Sequence, residues 1–361
     1  MKKTDSDFDI FSYFGLTYKQ TSILLSLQRL LVINDKNNYT DNQEKQRLKS
    51  VWLDEWTENL EIDLKNNGER LITTYDALIK EVKEELKNSE MKIWYNLVIL
   101  EAVTFVPYFP LGNDIKKYKS IKYNVSKQVS FLERFVKDTE CSLLDIVKRY
   151  RNLYLKALKK GSGDKKIITG CIMIAGAGVV AATCGLFAGP IAVALAGSNF
   201  PTLSGAALVS ASLAYLGGGA IAAGGAGMAG GVAVIVGGGA IVGGVLGGSG
   251  SLVFYGLAKN NPKFVLTEAA KLEVILREIL INQQKDIRTV QEILKKYKEH
   301  ISELEKELSK LKLEEKQDKE AIKNLKESIK YLKNIYKDIS RFTSAYEEGI
   351  KNNNDNDDND E

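Results

Sequence analysis

Apolar residues recur at helical spacing through the first 160 positions. Ile23, Leu24, Leu27, Leu30 and Leu31 form one stripe within Leu16 to Ile33, and Leu48, Val51, Trp52 and Leu53 open a second. Residues 60–64 and 71–86 continue the same period. No run alternates with period two, so strands are not predicted. The pattern predicts an all-α chain: an N-terminal helical bundle, central glycine-rich transmembrane helices or hairpins, and a C-terminal coiled coil. The expected divisions are a helical domain over 1–140, a basic amphipathic helix and linker over 141–166, a glycine-rich apolar region over 167–258, a coiled coil over 259–346 and a disordered acidic tail over 347–361.

Two apolar runs interrupt the amphipathic pattern. Ile93 to Leu111 is long enough for a span but contains Glu101, Pro107 and Pro110. A central charge such as Asp costs about 2.5–3.5 kcal/mol on insertion scales, and proline stops a helix. A buried bundle helix is the better reading of that run. The second, Ile167 to Ala258, holds no Asp, Glu, Lys, Arg or His and carries 24 of the 30 glycines. Its length allows two to four crossings at roughly 20 residues each, or hairpins that enter and return.

Glycine at this density costs about 1 kcal/mol per residue relative to alanine in an isolated helix, but small residues let packed helices approach closely. Gly185 and Gly189 form a Gly-xxx-Gly pair, as do Gly227 and Gly231, and Gly239, Gly243 and Gly247 form a longer zipper. These seven glycines are the predicted helix-packing residues, within one chain or between copies. A glycine-rich linker, or an apolar hairpin buried in one state and released in another, is the alternative.

Ahead of this block, Leu143, Leu144, Val147, Tyr150, Tyr154 and Leu158 share one helical face, and Lys160, Lys165 and Lys166 follow around a flexible Gly161-Ser162-Gly163. Lys148, Arg149, Arg151, Lys156, Lys159, Lys160, Lys165 and Lys166 are the candidate lipid-headgroup contacts, since a basic amphipathic helix attracts anionic headgroups. A bundle helix packed on Ile93–Leu111 fits the same stripe. Lysines flank the block on both sides, with Lys259, Lys263 and Lys271 following it, which predicts a multi-pass or hairpin membrane protein with both termini cytoplasmic.

Beyond the block, apolar residues step by three and four from Ile287 to Leu311 and, after polar Glu315 and Asp318, from Ile322 to Ile339. This coiled-coil signal of about seven heptads gives one helix of roughly 80 Å or an antiparallel hairpin folded near Lys316–Lys319. His300 sits beside core position Ile301 and is expected to face solvent.

Composition removes several chemistries. Cys141, Cys171 and Cys184 form no Cys-x-x-Cys pair and His300 is the single histidine, so no metal site, catalytic constellation or cofactor is expected. Gly225-Ala226-Gly227-Met228-Ala229-Gly230 fits a dinucleotide pattern, but the next acid is Glu268, far beyond the required spacing. Gly161–Lys166 lacks P-loop spacing. The N-terminus has two lysines without an apolar core behind them, so no secretory signal is expected. The net charge of +4 has no nucleic-acid motif beside it. The expected partners are a lipid bilayer, anionic in character, further copies of the chain in a homo-oligomer and a coiled-coil protein, with no nucleic acid.

The order of parts resembles apolipoprotein L-like channel proteins and alpha-helical pore-forming toxins. The run CGLFAGPIAVALAG, Cys184 to Gly197, resembles the glycine-rich membrane segment of transmembrane and coiled-coil domain proteins that carry a hydrolase, though no hydrolase signature is present. Asp35, Asp41 and Glu44, around a polar turn between two helices, resemble the tellurite-resistance-B type of helical domain, where such acids can hold a metal. Ordinary turn and helix-start chemistry accounts for the same residues. The resulting expectation is a membrane-inserted, self-associating protein that forms a channel or pore, or a membrane-anchored coiled-coil scaffold or tether.

Overall fold

The structure is a computed structural model and describes residues 16–38, 42–66, 68–89, 92–108, 118, 120–139, 145–162, 202, 211, 258–259, 262–314 and 318–357. Among these residues every regular element is helical. In chain order they are α1 (Tyr18–Asn38), α2 (Gln43–Asn66), α3 (Tyr75–Asn88), α4 (Ile93–Thr104), α5 (Val125–Asp138), α6 (Ile146–Ser162), α7 (Pro262–Val274), which passes into the π-helix π1 (Ile275–Gln284), α8 (Ile287–Leu313) and α9 (Lys319–Asp357).

Side chains set the helix starts. Thr17 and Gln20 cap each other reciprocally at α1, each side-chain oxygen accepting the other's backbone N–H at 3.1–3.2 Å. Thr74, Asn124, Asp286 and Asp318 accept backbone N–H groups at the starts of α3, α5, α8 and α9. π1 ends at Lys285, in the left-handed region at φ 58°, where the Asp286 N–H reaches the Leu280 carbonyl at 3.0 Å.

One hydrophobic core runs from Ile23 in α1 to Ile339 in α9. Its centre is α4, a twelve-residue helix with only Glu101 not fully buried. That helix is too short for a span; it ends at Thr104, with Phe105 as its C-cap, shortly before Pro107. Tyr150 joins three elements: its hydroxyl donates to Asn96 Oδ1 on α4 at 3.0 Å and accepts from Gln283 Nε2 on π1 at 3.1 Å. α6 therefore packs its apolar stripe inside the bundle.

The C-terminal pattern does not continue as one helix. α8 ends at Leu313 and α9 returns antiparallel, with Tyr297 stacked on Tyr336 at 5.9 Å and ion pairing between Lys333 and Glu305. Asp318 caps the start of α9, and Glu315 lies outside the described residues. α9 then continues as a helix through Asp357, into the stretch expected to be disordered. Its outer part propagates from a packed helix and does not meet the nucleation cost of an isolated one.

Two local expectations are also corrected. Gly161 and Ser162 are buried residues of α6 rather than a flexible linker. A Cβ on Gly161 would lie 2.3 Å from Leu266 Cδ1, so any larger residue there needs the Leu266 side chain to shift. His300 is 15% exposed, not solvent-facing, with Nδ1 3.0 Å from Glu303 Oε2.

Among the described residues no helix is long and apolar enough to cross a membrane. On that finding the placement as a multi-pass or hairpin membrane protein with both termini cytoplasmic is corrected and not carried further. The glycine-rich stretch Ile167–Ala258, apart from Thr202, Ala211 and Ala258, lies outside the described residues.

Candidate functional site

The site is a neck where α6, α7 and α9 meet. It receives the chain at both ends of the glycine-rich stretch. At the entrance, Asn334 Nδ2 on α9 donates to the Gly161 carbonyl at 2.9 Å. At the exit, Ser328 Oγ on α9 donates to the Ala258 carbonyl at 2.8 Å. The two donors are six residues apart on one helix, about 9 Å at 1.5 Å per residue. Leu266 and Ile335 close over Gly161 from α7 and α9.

A line of charges runs down the neck beneath these contacts. Lys160 on α6 holds Asp338 on α9 with both carboxylate oxygens, at 2.6 and 2.7 Å. Asp338 also pairs with Arg277 on π1 at 3.0 Å, and Arg277 pairs with Glu273 on α7 at 2.5 Å. The Arg277 guanidinium lies over the Phe342 ring at 4.2 Å. Glu273 has no exposed side-chain surface. Burial, then a hydrogen bond to Asp338, pushes its carboxyl up to about 7 against the opposing Arg277. Burial also acts upward on Asp338, but hydrogen bonds to Lys160 and Glu273 and the charges of Lys160 and Arg277 hold it below the ordinary carboxylate value.

A second buried group joins α7 to α4. Lys271 Nζ lies 3.0 Å from both Glu101 and Glu268. Burial pulls Lys271 down, but the two carboxylates outweigh it and hold the ammonium above its usual value. Burial pushes Glu268 up, aided by Glu101 and opposed by Lys271. The acid that argued against a span in Ile93–Leu111 thus has a partner 170 positions along the chain.

The basic helix is built into this framework. Lys148 pairs with Glu133 at 2.8 Å, Arg149 with Glu278, and Lys160 with Asp338. Arg151 is half-buried, and burial draws its guanidinium down beside Tyr154 and Tyr123. Lys156 and Lys159 are exposed. Lys165 and Lys166 lie outside the described residues, as do Gly185, Gly189, Gly227, Gly231, Gly239, Gly243 and Gly247.

Comparison with protein-family models, with curated proteins and with solved structures returns no match. The likenesses of layout therefore stand on the quoted residues alone.

The polar turn that resembles a metal-holding loop is occupied by the protein itself. Asp35 is buried; Oδ2 meets Lys49 Nζ at 2.5 Å and accepts from Tyr108 at 2.7 Å, while Oδ1 accepts the Asn124 N–H at 3.0 Å. Lys49 stands where a cation would. Glu44 is exposed in the first turn of α2, and Asp41 lies outside the described residues. Among the described residues no group of three or more His, Cys, Asp or Glu side chains is placed to hold a metal.

Sequence reading missed Ser328, Asn334, Glu273, Arg277 and Asp338. Asn334 and Asp338 lie on polar positions of a regular heptad pattern, where solvation is the default reading. Glu273 falls between Leu272 and Val274, and a charge flanked by apolar residues after a long uncharged run was the available signal.

Proposed function

We propose that this protein is a non-catalytic, self-associating assembly protein. The helical bundle is a clamp, and the uncharged glycine-rich segment is the part that meets other copies. The observation that carries this reading is the anchoring of the chain on either side of the segment to one helix, α9, through Asn334 and Ser328. The chain before the segment and the chain after it are thereby tied to the same helix. The segment's sequence, rich in Gly, Ala, Val and Ile, suits close helix–helix contact through Gly185/Gly189, Gly227/Gly231 and Gly239/Gly243/Gly247. The α8–α9 hairpin is the rigid support for the clamp.

Sedimentation velocity of the full chain over a range of concentrations tests the reading. The wild type is expected to sediment as an oligomer. Replacing Gly239, Gly243 and Gly247 together with Leu is expected to shift it toward the monomer without changing its helical content. A monomeric wild type, or an oligomer indifferent to the three substitutions, contradicts it.

A further inference from the structure

The hairpin of α8 and α9 has one face that no described helix covers. On α9 it is the row Lys319, Lys323, Lys326, Lys330, Lys333 and Lys337, at alternating steps of four and three, and all six are exposed. On α8 the matching row is Lys295, Lys298, Ser302, Glu305, Ser309 and Lys312, again all exposed. The ion pair between Lys333 and Glu305 places the two rows side by side. Steps of three and four keep each row on one side of its helix, and the α9 row is about 27 Å long at 1.5 Å per residue. Axes of packed helices lie about 8–10 Å apart, so the two rows make one flat face.

Charge is sorted across this hairpin. Over 295–314 and 318–337 the chain has twelve lysines and eight acids. Nine of the lysines stand on this face, and Glu305 is the single acid there. Glu299, Glu303, Glu307, Glu320 and Glu327 fall at other positions, where Glu307 pairs with Lys310. A helix surface that needs only solvation mixes the two signs, because Glu–Lys neighbours three and four residues apart stabilise it and like neighbours destabilise it. On α9 each interior lysine of the row has one lysine three residues away and another four residues away. An anion from outside the chain relieves that repulsion.

The face also points away from the rest of the molecule. At 100° per residue the α9 row lies about 150° around the helix from Ser328, Ile335 and Asp338, which are engaged with Ala258, Gly161 and Lys160. The apolar residues of the hairpin, Leu304, Leu311, Leu325 and Leu332, are buried in its seam. The face therefore offers a partner ammonium groups, two hydroxyls and one paired carboxylate.

We propose that this lysine face docks the protein on an anionic phospholipid surface, through the headgroup phosphates and without entering the hydrocarbon. Clusters of about four to eight basic residues on one helix face bind anionic headgroups by charge. A flat partner meets both rows at once, whereas a nucleic-acid duplex curves away from one of them. The twelve positions hold no Arg, Asn, Gln or aromatic side chain, the groups that read base edges or stack on bases. Lysine is a compact charge that suits a surface potential rather than a fixed bidentate partner. The contact is peripheral and needs no membrane-crossing helix. It also lies apart from the α6 cations, of which Lys148, Arg149 and Lys160 are held by Glu133, Glu278 and Asp338.

The test is co-sedimentation of the full chain with vesicles of phosphatidylcholine alone, or of phosphatidylcholine with about 30 % phosphatidylserine. Binding is expected to the serine-containing vesicles only. It is expected to be lost between about 0.1 M and about 1 M salt, where the screening length falls from roughly 10 Å to roughly 3 Å. Lys323→Gln, Lys326→Gln, Lys330→Gln and Lys337→Gln together are expected to weaken it by roughly a hundred-fold. Lys45→Gln, Lys80→Gln, Lys87→Gln and Lys137→Gln together remove the same charge at exposed positions elsewhere and are expected to leave it unchanged. Glutamine is a good helix former, and circular dichroism checks that both variants keep the fold. No binding at low salt, equal binding to the two kinds of vesicle, or an equal loss in the two variants overturns the proposal. A DNA duplex of about twenty base pairs that strips the protein from the vesicles at equal phosphate concentration also overturns it, and assigns the face to nucleic acid. Every copy carries the face, so salt-sensitive binding by a monomer refutes the assembly reading alone.

Discussion

Asn334 of α9 donates its side-chain amide to the carbonyl of Gly161, the penultimate residue of α6, at 2.9 Å. The last carbonyls of a helix have no partner within it, and here another helix supplies one. Asn334→Leu leaves that carbonyl without its donor and is expected to cost about 1–3 kcal/mol, measured by chemical denaturation. Loss of the interaction without a change in stability would show that the α6 end is held by packing alone.

Gly161 packs against the Leu266 and Ile335 side chains in the neck. A single added methyl meets Leu266 Cδ1, the end of a fully buried side chain that must shift to admit it. Gly161→Val is expected to destabilise by about 1–3 kcal/mol through overpacking. Gly161→Ala should cost less, because alanine recovers up to about 1 kcal/mol of helix preference. Equal thermal stability of Gly161→Val and wild type would count against the packing described.

Lys271 separates two carboxylates on α4 and α7. Lys271→Met leaves Glu101 and Glu268 facing each other without a cation and is expected to cost about 3–5 kcal/mol. Adding Glu101→Gln and Glu268→Gln in the same chain is expected to restore most of that loss, since the uncompensated charge goes with them. A triple variant no more stable than Lys271→Met would assign the lysine's role to its methylene packing instead.

Asp35 anchors the N-terminal helices through Lys49, Tyr108 and the Asn124 amide. Asp35→Ala is expected to cost about 3–5 kcal/mol, since Lys49 is left buried without its counter-charge. The melting temperature is expected to be unchanged by a chelator. A fall on chelation would return Asp35 to the role of a metal ligand.

The helices were legible because their apolar stripes are regular. Val147, Tyr150, Tyr154 and Leu158 fall on one face of α6, and all four are buried. The heptad register through Ile322, Leu325, Ile329 and Leu332 marks buried positions of α9 in the same way. The pairing of faces was not legible, because periodicity says that a face is covered and not by what. Glu101 could be recognised as costly, but its partner Lys271 lies on the far side of the glycine-rich stretch. The reversal between α8 and α9 carries no glycine or proline, so only the polar positions Glu315 and Asp318 hinted at it. Gly161 read as a linker because a glycine demanded by close packing and one demanded by flexibility look alike in sequence. The charges of α6 read as a headgroup surface, and three of them are spent on Glu133, Glu278 and Asp338.

The neck's joining of the two segment ends is tested most directly by excision. Residues 167–257 are replaced by a Gly-Ser linker of about six residues, enough to cover the roughly 9 Å separation along α9 with slack. Circular dichroism, thermal unfolding and sedimentation are then compared with the full chain. The expected result is a bundle that keeps its cooperative unfolding and sediments as a monomer. A chain that no longer folds, or one that still self-associates as the full chain does, would contradict the clamp.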